Sequence, residues 1–385
     1  MLGSQTYAAL LPELRDAWSL SNAQAGTVGG MFFAGYIATV SYWTALTDRV
    51  DARKVYLAGG VLAALGGAGF GLVASGFLSA IFFHIVLGIG IAATYMPGLR
   101  LLSDRIGGPN QSRHIAFYTS FFGIGTALSL AIAGLVTPLA GWRAAFVVSA
   151  IGPLLAGILV FFFIDKRSPQ AAAPFSWKTL FPVAAWRKVL AIRAAAGYTL
   201  GYFVHCLELF GSRAWMVAFL AFSSGLHAAG TFPWQLPAIA AVVNLASVPA
   251  SILGNEVALR IGRKRWIMIA MAGSGTSGIL LGFSAPWFWG VVLAILFVYA
   301  SLVMAESATL TAGLVATAPP ELRGAAMGLY SLVGFAGGML GPMVYGVALD
   351  AFGGAGSHGA WIAGDMAIGM GCLLASLVVR ISTPR

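Results

Sequence analysis

Blocks of about 20 mostly apolar residues recur along the whole chain, with short polar stretches between them. A helix of that length crosses the roughly 30 Å hydrocarbon core of a membrane. Hydrophobic residues make up 59% of the 385 residues and charged residues only 9%, which is too little charge to cover a water-soluble surface. The sequence lacks the alternating segments of membrane barrels, so the blocks predict an all-α membrane protein.

The first half of the sequence recurs in weaker form in the second half. SYWTALTDRVDARKVYL at 41–57 resembles SILGNEVALRIGRKRWIMI at 251–269, which aligns Arg49 with Arg260 at an offset of 211. Arg113 and Arg323 align at an offset of 210. Two anchors at nearly one spacing predict two similar helix bundles, an arrangement typical of transporters with a binding site where the halves meet.

The predicted organisation has eleven complete spans and one partial span. We predict an N-terminal bundle at 1–164, a cytoplasmic linker with a short surface helix at 165–188, and a C-terminal bundle at 189–385. Under the repeat offset, Met1 aligns with Ser212 inside a span, so about half of helix 1 is missing. Either translation starts upstream, which we favour, or helix 1 is incomplete. The complete spans are predicted near 24–44, 54–74, 77–102, 114–138, 144–164, 191–222, 234–257, 266–284, 287–314, 325–349 and 359–380.

The net charge of +10 is distributed asymmetrically along the chain. Of the 22 Lys and Arg residues, 18 lie in the loops after alternate spans or in the flanking segments on that side. This asymmetry predicts that those loops are cytoplasmic, in a multi-pass protein of a bacterial-type inner membrane, and it argues against nucleic acid as a partner. Cys206 and Cys372 lie in apolar spans without metal-ligand spacing, so we predict buried thiols and no metal or cofactor.

The loop after the second span resembles the signature of the major facilitator superfamily, G-x-L-A-D-R-x-G-R-R. Asp48-Arg49 and the basic pair Arg53-Lys54 match it, whereas Thr44 and Asp51 replace its glycines. The second copy keeps three basic residues and one glycine but has Leu259 in place of the acid. The four residues kept in the second copy are Arg260, Gly262, Arg263 and Lys264. Further matches elsewhere in the chain are Gly141-Trp142-Arg143, Gly341-Pro342 and Asp350.

This resemblance implies two six-helix bundles that open a shared cavity to each side of the membrane in turn. It also implies that Asp48, Arg49, Arg53, Arg260 and Arg263 act in the gate between conformations. His84 stands where proton-coupled members carry Arg, and Ser129-Leu130 stands where drug antiporters carry Gly-Pro. These two departures argue against a drug/proton antiporter.

One predicted span carries a stripe of polar residues. Tyr198, Tyr202, His205, Glu208 and Ser212 follow at steps of four, three, three and four, which places them on one helix face, and Arg213 comes next. Because ionisable groups at membrane depth are costly, we predict a cavity lining with Glu208 as proton acceptor, His205 as its partner and Arg213 as anchor for an anionic substrate. The alternative is an internal ion pair that only supports packing.

A second acid, Glu306, lies far from either end of its span. The offset of 210 aligns it with Met96, one turn from Arg100, so we predict that Arg100 faces Glu306 across the cavity. Alternatively, Arg100 extends to the lipid headgroups. Tyr95 and Asn244 are candidates for neutral hydrogen bonds to substrate or between helices, and Asp365 is open to either role.

Together these patterns predict a monomeric secondary transporter for a small polar or anionic metabolite. Coupling to protons would use Glu208 and Glu306, since carboxylates in an apolar cavity hold protons more tightly than in water. The sequence has no G-x-x-x-x-G-K-[ST] loop and no HExxH, GxSxG or Cys/His cluster, so ATP hydrolysis and catalysis are not expected. The alternatives are a uniporter or exchanger, a multidrug exporter, and a receptor that has lost transport.

Overall fold

The computed structural model describes residues 1–106, 111–167, 180–227 and 232–382. Its long elements are twelve α-helices, with no strand among the described residues, which confirms the predicted all-α fold. They are α1 Thr6–Ala17, α2 Asn22–Leu46, α3 Ala52–Val73, α4 Phe77–Ser103, α5 Gln111–Phe163, α6 Val183–Ala191, α7 Arg193–Gly225, α8 Leu236–Ile261, α9 Arg263–Ser284, α10 Trp289–Thr317, α11 Arg323–Ala351 and α12 His358–Ser382.

Nine helices in the described part of the chain are long and apolar enough to cross a membrane. Every complete predicted span overlaps a helix, and two of them, 114–138 and 144–164, overlap α5. Gly141 separates these two segments, because its φ of 77° and ψ of 169° are not helical. A positive φ is easily adopted only by glycine, so this residue turns the chain between the two segments.

The chain forms two compact units. Unit 1 comprises Met1–Leu10 and Met31–Phe181, and unit 2 comprises Leu11–Gly30 and Pro182–Arg385. The division at 1–164, 165–188 and 189–385 stays a prediction, and residues 168–179 of the predicted linker lie outside the described residues.

Unit 2 contains α7 to α12, with α7 packed closely against α11, α12 and α10. The contact between α7 and α11 depends on glycines one turn apart on α11. A Cβ atom on Gly337 would lie 2.1 Å from the Phe203 carbonyl oxygen, and one on Gly341 would lie 2.2 Å from that of Leu207. The two backbones therefore touch, which fixes the position of the helix with the polar stripe.

Candidate functional site

The polar stripe of α7 faces the interior of unit 2. Tyr198 is 6% exposed, and His205 and Glu208 are fully buried at 0%. Ser212 donates to the Leu209 carbonyl of its own helix. Buried polar groups need partners, so the contacts of His205 and Glu208 define the site.

His205 and Glu306 form a buried pair between α7 and α10. The distance between His205 Nδ1 and Glu306 Oε1 is 2.8 Å, and both side chains are 0% exposed. The other polar atoms, His205 Nε2 and Glu306 Oε2, have no hydrogen-bond partner among the described residues. The sequence predicted Glu208 as the partner of His205, whereas the hydrogen bond goes to Glu306.

Glu208 lies beside this pair. Its Oε2 accepts a hydrogen bond of 2.9 Å from Ser274 Oγ on α9. Carboxylate oxygens of Glu208 and Glu306 and the Cys372 sulfur all lie within 4.8 Å of one another. At that separation two ionised carboxylates repel by about 3 kcal/mol at an effective dielectric constant of ~20, so the pair favours holding a proton.

The same three ligand atoms are close enough to bind one cation. Two carboxylates and a thiolate would suit a metal ion by distance, but Glu306 already holds His205 and no fourth ligand is within the group.

An aromatic stack lies next to His205. Tyr202 stacks on Tyr330 with ring centroids 3.9 Å apart and planes at 8°, and on His205 at 5.6 Å. The Tyr330 hydroxyl lies 3.1 Å from Thr311 Oγ1. The stack restricts the imidazole orientation and so supports its bond to Glu306.

Arg213 is buried without an acid. Its side chain is 7% exposed, and Nη2 donates to the Met304 sulfur at 3.4 Å. Within the described part of the chain, no carboxylate oxygen lies within 4.0 Å of it. Asn244, 3% exposed, donates to the Ala240 carbonyl of its own helix at 2.8 Å. A buried guanidinium whose one hydrogen bond within the described ranges goes to a thioether retains donors for an anion.

Two other predicted site residues belong to unit 1. Arg100 Nη1 lies 3.2 Å from Asp48, and its Nε lies 2.9 Å from Asp104. Tyr95 is half-buried, and its carbonyl oxygen accepts from the Tyr118 hydroxyl at 2.8 Å. The pairing of Arg100 with Glu306 stays a prediction.

The predicted gate residues have varied surroundings. Arg53 is 7% exposed and donates to the carbonyl oxygens of Val160 and Phe161 in α5. Asp51 caps α3 by accepting from the Arg53 backbone at 3.0 Å. Asp48 holds Arg100 as described, and Arg49 lies just before α3. In unit 2, Arg260 is exposed and Arg263 is half-buried near Tyr198.

Sequence reasoning missed Cys372, Ser274 and Tyr299 as neighbours of the acids. A signal for two of them exists in the spacing. Cys372 follows Asp365 by seven residues on α12, and Tyr299 precedes Glu306 by seven on α10. Residues seven apart lie two helical turns apart on one face. The residue seven positions from each acid is therefore expected on the same helix face as that acid.

These features define the class of the protein: a multi-pass helical membrane protein with a buried group of ionisable side chains. A sequence model of the Major Facilitator Superfamily matches residues 1–342, and the chain belongs to that family of transporters.

Named relatives and solved structures agree with this assignment. The chain is 23% identical over 305 residues to the "Putative niacin/nicotinamide transporter NiaP" of Bacillus subtilis, covering 74% of each chain. It is 21% identical over 170 residues, 44% of this chain and 37% of the other, to the "Niacin transporter NiaP" of Acinetobacter baylyi. The fold matches a crystal structure of the nucleoside transporter NupG with a TM-score of 0.81 at 14% identity, covering 100% of this chain and 97% of the other.

Proposed function

We propose that the protein couples transport of a small anionic metabolite to protons, which bind at the Glu208–Glu306 pair. The observation that carries the proposal is the placement of these two carboxylates, fully buried and with oxygens within 4.8 Å of each other. Leaving both ionised out of water would cost several kcal/mol, and among the described residues His205 is the one basic group hydrogen-bonded to either. A proton on the pair removes that cost, so the pair has a reason to load one.

The release of the proton requires a change in the surroundings of the pair. In transporters of this type, two helix bundles rock around a central site, and this movement alters the solvation of buried groups. When water or a cation reaches the pair, the ionised form gains stability and the proton leaves. His205 supports this exchange because an imidazole can hold the proton while Glu306 stays ionised.

Arg213 supports an anionic substrate. Its guanidinium is buried and contacts the Met304 sulfur, and Arg213 follows His205 by eight residues on α7. A carboxylate on the substrate would form a bidentate pair with Arg213, and its negative charge would favour a proton on the nearby acids. The relatives named as niacin transporters suggest nicotinate as the first probe, since it is a small aromatic carboxylate. We place the protein in a bacterial-type inner membrane, with the basic loops cytoplasmic.

The test separates transport from coupling in proteoliposomes with radiolabelled nicotinate. Counterflow without an ion gradient measures transport, and accumulation driven by an imposed pH gradient measures coupling. Glutamine imitates a permanently protonated glutamate, so Glu306→Gln and Glu208→Gln should keep counterflow within about threefold while accumulation falls at least about tenfold.

The matched control is Ser284→Ala, a buried residue of α9 whose hydroxyl donates to the Leu281 carbonyl of its own helix. It should leave both activities unchanged. If the glutamine variants accumulate nicotinate with the pH dependence of the wild type, the acids are structural and the protein is a uniporter or exchanger.

A further inference from the structure

A row of small residues on α9 faces a row of ionisable groups in unit 2. Ser274, Gly278 and Gly282 follow at intervals of four and so lie on one face, spanning about 12 Å along the helix. Ser274 donates to Glu208 at 2.9 Å. A Cβ atom on Gly278 would lie 3.4 Å from the Tyr299 hydroxyl, and one on Gly282 would lie 3.0 Å from Asp365 Oδ2. Successive turns of α9 thus border Glu208, then Tyr299, then Asp365.

The row of ionisable groups continues to the end of unit 2 at which α12 begins. His358, the first residue of α12, is half-buried, and its Nε2 donates to the Gly282 carbonyl at 2.9 Å. Asp365 follows His358 by seven residues and Cys372 follows Asp365 by seven, so all three lie on one face of α12. The ionisable groups therefore reach from the buried pair to a residue that solvent can touch.

We propose that Asp365 and Tyr299 form a proton path along α9, connecting the His358 end of unit 2 with the Glu208–Glu306 pair. The proposal rests on the proposed proton coupling and adds the route by which protons reach the pair. It also assigns a function to two buried groups that the coupling itself does not use.

Polar atoms of Asp365 and Tyr299 that lack hydrogen-bond partners favour a role in proton transfer over a role in helix packing. Asp365 is 3% exposed and Tyr299 is 1% exposed. Asp365 Oδ2 and the Tyr299 hydroxyl both have no hydrogen-bond partner among the described residues. A carboxylate kept only for packing would have both oxygens satisfied, because an unmet buried polar atom costs about 1–3 kcal/mol.

The transfer conserves protons and charge. Protonated Asp365 gives its proton to the Tyr299 oxygen while the Tyr299 hydroxyl proton passes to Glu208, directly or over a bridging water. Asp365 becomes ionised, Glu208 becomes neutral and Tyr299 is unchanged. Asp365 then regains a proton from the His358 side. The ionisable groups that face Asp365 are Glu208 on α7, Tyr299 on α10 and Tyr345 on α11, with His358 on its own helix.

The test follows protonation of the pair directly and needs no substrate. The full-length protein is reconstituted in lipid, and infrared spectroscopy records the carbonyl stretch of protonated carboxyl groups. The band that Glu306→Gln or Glu208→Gln removes belongs to the pair. A rapid pH jump then gives the rate at which this band changes.

We expect Asp365→Asn, which keeps the size of the side chain but cannot carry a proton, to slow the change of this band by at least about tenfold while its equilibrium titration persists. Tyr299→Phe, which removes only the hydroxyl, should slow it similarly and serves as the second variant if Asp365→Asn does not fold. Ser284→Ala should match the wild type.

Each result decides between the two proposals. If the band titrates and both variants follow the wild-type rate, the path is wrong and the proton coupling stands. If no band of the wild type that depends on Glu208 or Glu306 titrates, the coupling fails and the path fails with it.

Discussion

The close contact between α7 and α11 makes Gly337→Ala a sharp test of the packing that positions the site. The new Cβ would lie 2.1 Å from the Phe203 carbonyl oxygen and 3.1 Å from the Leu207 nitrogen. Ordinary contact begins at 3.4 Å, so the helices would have to separate by the difference, 1.3 Å. Phe203 and Leu207 flank His205, and a shift of this size would lengthen its 2.8 Å bond to Glu306.

The expected loss of stability follows from two opposing effects. Overpacking of a close contact costs about 1–3 kcal/mol, and alanine in place of glycine in a helix returns about 0.5–1 kcal/mol. A net loss of about 1–2 kcal/mol lowers the melting temperature by about 2–8 °C for a unit of this size.

The two cysteines provide the assay. Cys206 and Cys372 both lie in unit 2, at 1% and 0% exposure, so a thiol-reactive dye labels them only as this unit opens. The matched control is Gly328→Ala on the same helix, where no atom lies within 4 Å of the new Cβ. If Gly337→Ala melts at or above the temperature of Gly328→Ala, the reasoning about backbone contact is refuted.

Three further substitutions test other contacts by the same melting assay or its tryptophan-fluorescence equivalent. Asp350 accepts hydrogen bonds from the Asn22 backbone at 3.1 Å and the Ala23 backbone at 2.8 Å at the start of α2. Asp350→Ala should therefore cost about 1 kcal/mol of stability, and an unchanged melting temperature would show that this cap does not stabilise the protein. His205→Phe removes the hydrogen bond that Glu306 makes with His205 and should cost about 1–3 kcal/mol, whereas a stabilised variant would show that the pair is not needed for folding. Arg53→Met keeps the length of the stem but loses both carbonyl contacts in α5 and should cost about 1–2 kcal/mol in tryptophan fluorescence, unless those bonds contribute nothing.

The span positions could be predicted because the length of an apolar block is set by the membrane itself. The sequence also predicts two separate spans, 114–138 and 144–164, on either side of Gly141, where the structure has its break. The positive φ of 77° depends on how the two segments pack, and a single sequence does not contain that information.

Within α7, helical periodicity predicts that His205 and Glu208 share a face, because both lie on one regular element. The periodicity of one helix carries no information about its neighbours, so the partner of His205, 101 residues away on α10, could not be deduced. The same limit applies to Ser274 and Cys372, which approach Glu208 from α9 and α12. The seven-residue intervals on α10 and α12 are the one sequence pattern that indicates which residues lie near the acids.

Proton movement caused by substrate tests the central claim most directly. Proteoliposomes containing a pH-sensitive dye are given nicotinate outside with no initial pH gradient, and protein-free liposomes provide the background. The wild type should show substrate-dependent proton movement that Glu208→Gln and Glu306→Gln abolish. Uptake of nicotinate by the wild type without proton movement, or unchanged proton movement in both variants, would contradict the account.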